Sequence, residues 1–188
     1  MLVLSAHWLS HQAGITLDLQ SAMKQNSSSK FEQISRYLIS RHETIAVAES
    51  VTAGNIQAML SALPNAASFF QGGITTYNLG QKCKHLQIDP IYGDSCNCVS
   101  EKIAVQMATN VAALFNSQWG IAVVGYASPV PELKIRKLFA FYALVYQLKP
   151  IEVARLPCNL SGTIKVQQLY AKKIMERLLA VTNGHDTE

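Results

Sequence analysis

The stretch TIAVAESVTAGNIQAMLSALPNAASFFQGGITTYNLGQKCK, Thr44 to Lys84, decides how this chain folds. It opens on a short apolar run, Thr44 to Ala48, that reads as a buried strand. It then passes through Glu49, Ser50, Thr52 and Gly54 into a segment whose apolar residues Ile56, Met59, Leu60 and Leu63 recur at helical spacing. The spacing predicts a helix over residues 53–63, ended by Pro64. A strand that stops at small hydroxyl residues and turns directly into a helix leaves the first N–H groups of that helix without partners. Ser50 or Thr52 therefore sits where a hydroxyl either caps the helix or helps hold an anion or a carbonyl oxygen. On this segment alone the cap is the plainer reading.

Working outward, Phe69-Phe70 is expected to enter the core before a turn at Gly72-Gly73, with a second strand over 73–78 and a short helix over 79–88 that carries Lys82. Upstream, Ser29 and Glu32 form a capping box ahead of Phe31, Ile34 and Leu38 on one helical face. Downstream, the loop Asp89 to Val99 is rich in turn formers and cysteine. Ser100 then caps a helix with Ile103, Met107, Val111, Leu114 and Phe115 on one side, leading into the apolar strand Ile121–Val124. Strands over 137–148 and 151–156 follow without a helix between them, which implies a hairpin at Lys149-Pro150 and a mixed sheet. Val166, Tyr170, Ile174, Leu178 and Val181 mark the buried face of a closing helix. The fold class is α/β, a three-layer α/β/α sandwich.

Composition narrows the function classes. The 188 residues, 49% hydrophobic and only 15% charged, describe one globular domain over 29–183, preceded by a loosely ordered extension over 1–28. A net charge of +4 is spread through several segments, without the dense basic and aromatic run of a nucleic-acid surface. It favours small anionic ligands weakly. Cys83, Cys96, Cys98 and Cys158 lack the paired spacing of a structural zinc site, and His42 and His85 have no partner at metal-ligand spacing. Met1 to Leu9 lacks a basic n-region and is too short to span a bilayer, so the expected setting is the reducing cytoplasm with no membrane partner.

Glu49-Ser50-x-Thr52-x-Gly54 followed by a helix, Phe70-x-x-Gly73-x-x-Thr76-Tyr77, and a lysine five residues after the tyrosine, Lys82, together resemble the C-terminal domain of the CinA competence/damage-inducible proteins. The resemblance runs from about Phe31 to Leu179 and is specific in residue identity between Glu49 and Lys82. Stand-alone members of that family are nicotinamide mononucleotide deamidases that tend to self-associate. The resemblance therefore implies an amidohydrolase of a nicotinamide mononucleotide-like substrate, with Ser50 as nucleophile and Lys82 as base, needing no metal or organic cofactor. It implies a homo-oligomer and no nucleic-acid partner. It also places Thr76, Tyr77, Thr52, Gly54, Gly125 and Lys165 at the substrate, and backbone N–H groups after Thr52 at the oxyanion. Glu49 either contacts substrate or orients the turn. Without the resemblance, Lys82 reads as a solvated surface lysine and Tyr77 as a half-buried core aromatic.

Two segments depart from the family pattern. Where the family follows its third strand with a hydroxyl residue, glycines and a Lys-Pro-x-Gly segment, this chain reads Val124-Gly125-Tyr126-Ala127-Ser128-Pro129 and continues through a charged and apolar linker to Lys137. A glycine-rich loop lets backbone amides approach a phosphate closely, so its loss removes donors unless Lys134, Arg136 and Lys137 compensate. Before the last helix the family's arginines are replaced by Cys158-Asn159-Leu160, leaving Lys165 as the nearby cation. Three readings remain open: a weakened deamidase, an amidohydrolase with a changed amide substrate, or an inactive relative that keeps the fold as a binding or assembly module.

Overall fold

The computed structural model describes residues 30–184, so the 1–28 extension and the Ser29 half of the capping box lie outside the described residues. A helix, α1 (residues 30–40), buries Phe31, Ile34 and Leu38 as their spacing requires. Five strands follow: β1 (Ile45–Glu49), β2 (Phe70–Thr75), β3 (Trp119–Gly125), β4 (Leu138–Tyr146) and β5 (Lys149–Cys158). Between and after them come α2 (Asn55–Ser61), α3 (Leu79–Leu86), α4 (Pro90–Ser95), α5 (Glu101–Leu114) and α6 (Thr163–Gly184). The sheet order is β2-β1-β3-β4-β5. β1 pairs in parallel with β2 and β3, while β3–β4 and β4–β5 are antiparallel, so the sheet is mixed.

Alternation along the strands divides the interior into two cores. Ile45, Val47, Ile121, Val123, Tyr142 and Leu144 face α1, α2 and α6. Ala46, Ala48, Ala122, Val124, Ala143 and Val145 face α5 and the end of α3. The second face is lined largely by small residues because α5 lies directly on it. A Cβ added to Gly120 would stand 2.2 Å from the Ala108 carbonyl oxygen of α5. Gly120→Ala should therefore cost about 1–3 kcal/mol by forcing helix and strand apart. Chemical denaturation reads this directly, and a loss under a few tenths of a kcal/mol would show that α5 does not sit so closely.

Several boundaries differ from those expected. The Gly72-Gly73 pair is not a turn but lies inside β2, where Gly73 opposes Val47. There, a side chain at Gly73 would meet the Val47 carbonyl and Gln57, so this glycine marks close packing of β2 against β1 and α2, while one at Gly72 would meet Phe115 at the end of α5. The hairpin turns at Gln147-Leu148, both at positive φ, while Lys149 and Pro150 already pair across the ladder. Two consecutive left-handed residues match the twist of the flanking strands, and this geometry overrides the proline signal. The segment 89–99 contains α4, with Pro90 in its first turn and the Asp89 side chain capping Tyr92 N–H. Leu114 is exposed, since α5 is already ending there. No helix of the described residues is long and apolar enough to cross a membrane.

Candidate active site

The sheet topology fixes where a crevice opens. The crossover from β1 through α2 to β2 runs on one face of the sheet, and the crossover from β2 through α3 and α5 to β3 runs on the other. The chain thus leaves β1 and its neighbour β2 toward opposite faces of the sheet, so a gap opens beyond the carboxyl ends of these parallel strands. Ser50 follows β1, Tyr77 follows β2, and Gly125 ends β3 at this one gap. All three line a cavity of about 440 Å3, together with Lys82 from α3 and residues of α4, its following loop and the start of α6.

Lys82 reaches the cavity from the inner side of α3. Asn78 caps that helix by accepting from Gln81 N–H at 3.0 Å, which sets the phase that turns Lys82 and Leu86 inward together. Lys82 is 2% exposed. Its Nζ lies 3.1 Å from Ser50 Oγ, 2.9 Å from the Thr76 carbonyl oxygen and 3.3 Å from the Tyr77 carbonyl oxygen. Carbonyl oxygens only accept, so they take two N–H bonds whatever the charge of the amine. In the neutral form the remaining position is a lone pair facing the Ser50 hydroxyl. Burial pushes the Lys82 ammonium below the ordinary lysine range, and the opposing pull of Cys98 requires a thiolate that burial disfavours. Among the described residues no carboxylate forms an ion pair with Lys82.

Glu49 has a different place from one at the substrate. Its buried carboxylate accepts from Gly54 N–H at 3.0 Å, Ile56 N–H at 3.2 Å and Gln57 N–H at 2.8 Å. It thus satisfies the start of α2, and Gly54, at φ 97°, is the N-cap position with no side-chain cap of its own. Neither Ser50 nor Thr52 caps the helix, because the chain needs Gly54's left-handed backbone to turn Glu49 back onto the helix start. These N–H groups are consequently spent on Glu49 and are not free to form an oxyanion hole.

The remaining expected site residues separate cleanly. Tyr77 is 75% exposed at the cavity wall, so it is not a half-buried core aromatic. Thr52 and Thr76 are buried and their hydroxyls have no hydrogen-bond partner, Thr76 contributing to the site through its carbonyl. Glu49, Thr52, Gly54, Thr76 and Lys165 do not line the cavity. Sequence reasoning left the 89–99 segment without a role, whereas Asp94, Asn97 and Cys98 form one wall of the cavity. Tyr126 adds to the same wall, its hydroxyl accepting from Asn97 Nδ2 at 3.2 Å and its ring standing edge-on to Phe139. The turn formers of 89–99 announced a loop, and nothing in their spacing tied it to Ser50. No group of His, Cys, Asp and Glu side chains suited to a metal ion occurs among the described residues.

A buried lysine amine held against a serine hydroxyl at the strand ends of a three-layer α/β/α sandwich defines the class of protein to which this chain is compared. The CinA C-terminal domain profile matches residues 27–137, more than half of the chain, and the chain belongs to that family. A CinA-like protein of Synechocystis is 42% identical over 89 residues, 47% of this chain and 21% of that protein. One from Cyanothece is 36% identical over 51% of this chain and 23% of its own length. The chain thus matches under a quarter of the length of these relatives. A Competence-Damaged Protein (CinA) superfamily protein from Klebsiella pneumoniae shares the fold with a TM-score of 0.78 and 24% identity, over 84% of this chain and 98% of that one. The competence damage-inducible protein A (ComA) of Klebsiella pneumoniae subsp. pneumoniae gives a TM-score of 0.74 at 26% identity, over 86% and 98%.

Proposed function

We propose that this chain is an amidohydrolase that converts nicotinamide mononucleotide and water to nicotinate mononucleotide and ammonia, with Ser50 as nucleophile and Lys82 as its base. The observation that carries this reading is the 3.1 Å approach of Lys82 Nζ to Ser50 Oγ in a site that disfavours the ammonium. Neutral Lys82 takes the hydroxyl proton as Oγ bonds to the carboxamide carbon, and the resulting ammonium returns that proton to the departing nitrogen. Water then cleaves the seryl ester, with Lys82 again accepting a proton, to give the free acid. With the α2 amides occupied by Glu49, we assign the oxyanion to the backbone N–H of Val51, which follows the nucleophile in a residue that lines the cavity.

The direct test is ammonia release from nicotinamide mononucleotide by the purified chain across pH. Because only neutral Lys82 can take the proton, kcat/KM should rise with pH through the depressed pKa of the folded lysine and level off before the ordinary lysine range. A profile still climbing in that ordinary range would show that Lys82 is not the base.

A second reading draws on the occupied helix N-terminus and the family glycines lost after Gly125: a catalytically inactive relative that keeps the cavity for binding or assembly. Absence of turnover on nicotinamide mononucleotide and on simple carboxamides would favour it.

A further inference from the structure

The cavity that holds Ser50 and Lys82 is graded in exposure. Buried residues, Ser50, Lys82, Gly93 and Cys98, form its floor, whereas Tyr77, Asp94 and Asn97 are exposed at its rim. Two consecutive left-handed residues after α4, Asn97 at φ 49° and Cys98 at φ 55°, make this division on one wall: Cys98 is buried, while the Asn97 amide donates to the Tyr126 hydroxyl. That bond ties the loop after α4 to the end of β3. The proposed chemistry leaves Asp94 without a task. Its carboxylate forms no ion pair and no side-chain hydrogen bond among the described residues, and no other carboxylate lines the cavity. With Lys82 in the neutral form that a base requires, the lining is net negative in a chain whose net charge is +4. A basic protein repels cations at long range, so a negative recess within it is a local feature that favours them.

The rings beside the carboxylate narrow the kind of cation. Tyr77 exposes most of its ring at the rim, and Tyr126, held by Asn97 and standing edge-on to Phe139, lines the cavity on the same wall as Asp94. An aromatic face attracts a cation through its quadrupole, and a flat cation also stacks on it. We infer that Asp94 is a specificity-determining residue that, with the rings of Tyr77 and Tyr126, selects amides whose carboxamide is borne on a flat, positively charged ring. In a carbamoylpyridinium the charge sits in the ring that bears the amide. Placing the amide carbon at Ser50 on the floor therefore brings the charge past the rim, where the carboxylate stands. A neutral aromatic amide of the same shape gains nothing from Asp94. The inference rests on the amidohydrolase reading for the reaction, and goes beyond it in assigning the residue that senses the charge of the ring. Water at the exposed rim screens the attraction, so its effect is several-fold and not orders of magnitude.

The experiment compares nicotinamide mononucleotide with its reduced, dihydropyridine form, which shares the phosphate, ribose and carboxamide and lacks the positive charge of the ring. Calorimetry on the Ser50→Ala chain measures binding without turnover, and kcat/KM is measured on the parent. The charged form should bind at least about fivefold more tightly than the reduced form, and this preference should shrink as salt is raised. Adding Asp94→Asn, which keeps the size and removes the charge, should bring the ratio of the two affinities close to one. Asp94 is exposed, so thermal melting should confirm that the variant is folded. With Ser50 intact, Asp94→Asn should lower kcat/KM for the charged form mainly through KM. The pH at which kcat/KM rises should stay in place, because burial and Cys98, not Asp94, shift Lys82. Equal affinities for the two forms, or a preference that survives Asp94→Asn, would overturn the role of Asp94. Turnover of both forms with equal kcat/KM would keep the amidohydrolase and discard that role. Charge-dependent binding that Asp94→Asn abolishes, without turnover of either form, would keep the role and discard the amidohydrolase. Binding of neither form would overturn both.

Discussion

Ser50→Ala and Lys82→Met are each expected to lower kcat for ammonia release by at least about a thousandfold, and the double variant to be no worse than either alone, because nucleophile and base act as one unit. Their effects on stability should differ in kind. Ser50 does not cap α2, so its hydroxyl contributes only its bond with Lys82, about 1 kcal/mol or less. Lys82→Met removes a buried amine whose pKa is depressed on folding. Between the folded and the ordinary lysine pKa the unfolded chain binds the extra proton, so the parent gains stability as pH rises through that window. The variant lacks this dependence. Its stability relative to the parent should therefore fall as pH rises through that window, on top of a constant cost for the Thr76 and Tyr77 carbonyls that lose the amine as partner. Turnover that persists in Ser50→Ala would remove Ser50 from the chemistry, and a pH-independent stability difference would show that Lys82 is not desolvated.

Glu49→Ala should produce the largest loss of stability, about 3–5 kcal/mol, because it strips three backbone N–H groups at the start of α2 of their acceptor in a buried place. Glu49→Gln keeps a single acceptor oxygen and turns an NH2 toward donors, so it should recover only part of that loss. Activity should fall in parallel, since Ser50 follows Glu49 directly and its position depends on the same turn. Denaturant midpoints with an unchanged slope provide the measurement. If Glu49→Ala cost less than about 1 kcal/mol, the carboxylate would not be what holds the turn, and the α2 amides would be available to substrate after all.

Much of this arrangement was legible in the chain. Apolar runs at 44–48 and 121–124, the helical spacing after Gly54 and Ser100, and the closing pattern from Val166 were enough for a mixed α/β/α sandwich. They sufficed because burial of one face imposes a period that the sequence must obey. The pairing of Ser50 with Lys82 was legible through the family's spacing alone. Read from the residues alone, Lys82 passes for a solvated surface lysine, and only the folded helix shows that it shares the inward face with Leu86.

What the sequence by itself determined is therefore the α/β/α layering and the succession of strands and helices, which follow from local period, while the family's spacing singled out Ser50 and Lys82 as residues to find together. The tertiary structure alone decided where long-range partners fall. It spent the α2 amides on Glu49, a residue five to eight positions away whose carboxylate returns only because Gly54 turns left-handed. It also brought the unassigned 89–99 loop against Ser50 and set Arg136 and Lys137 beside the same crevice. Residues from separate crossovers meet at the strand ends because the chain leaves β1 and β2 toward opposite faces of the sheet, and no local pattern encodes that meeting.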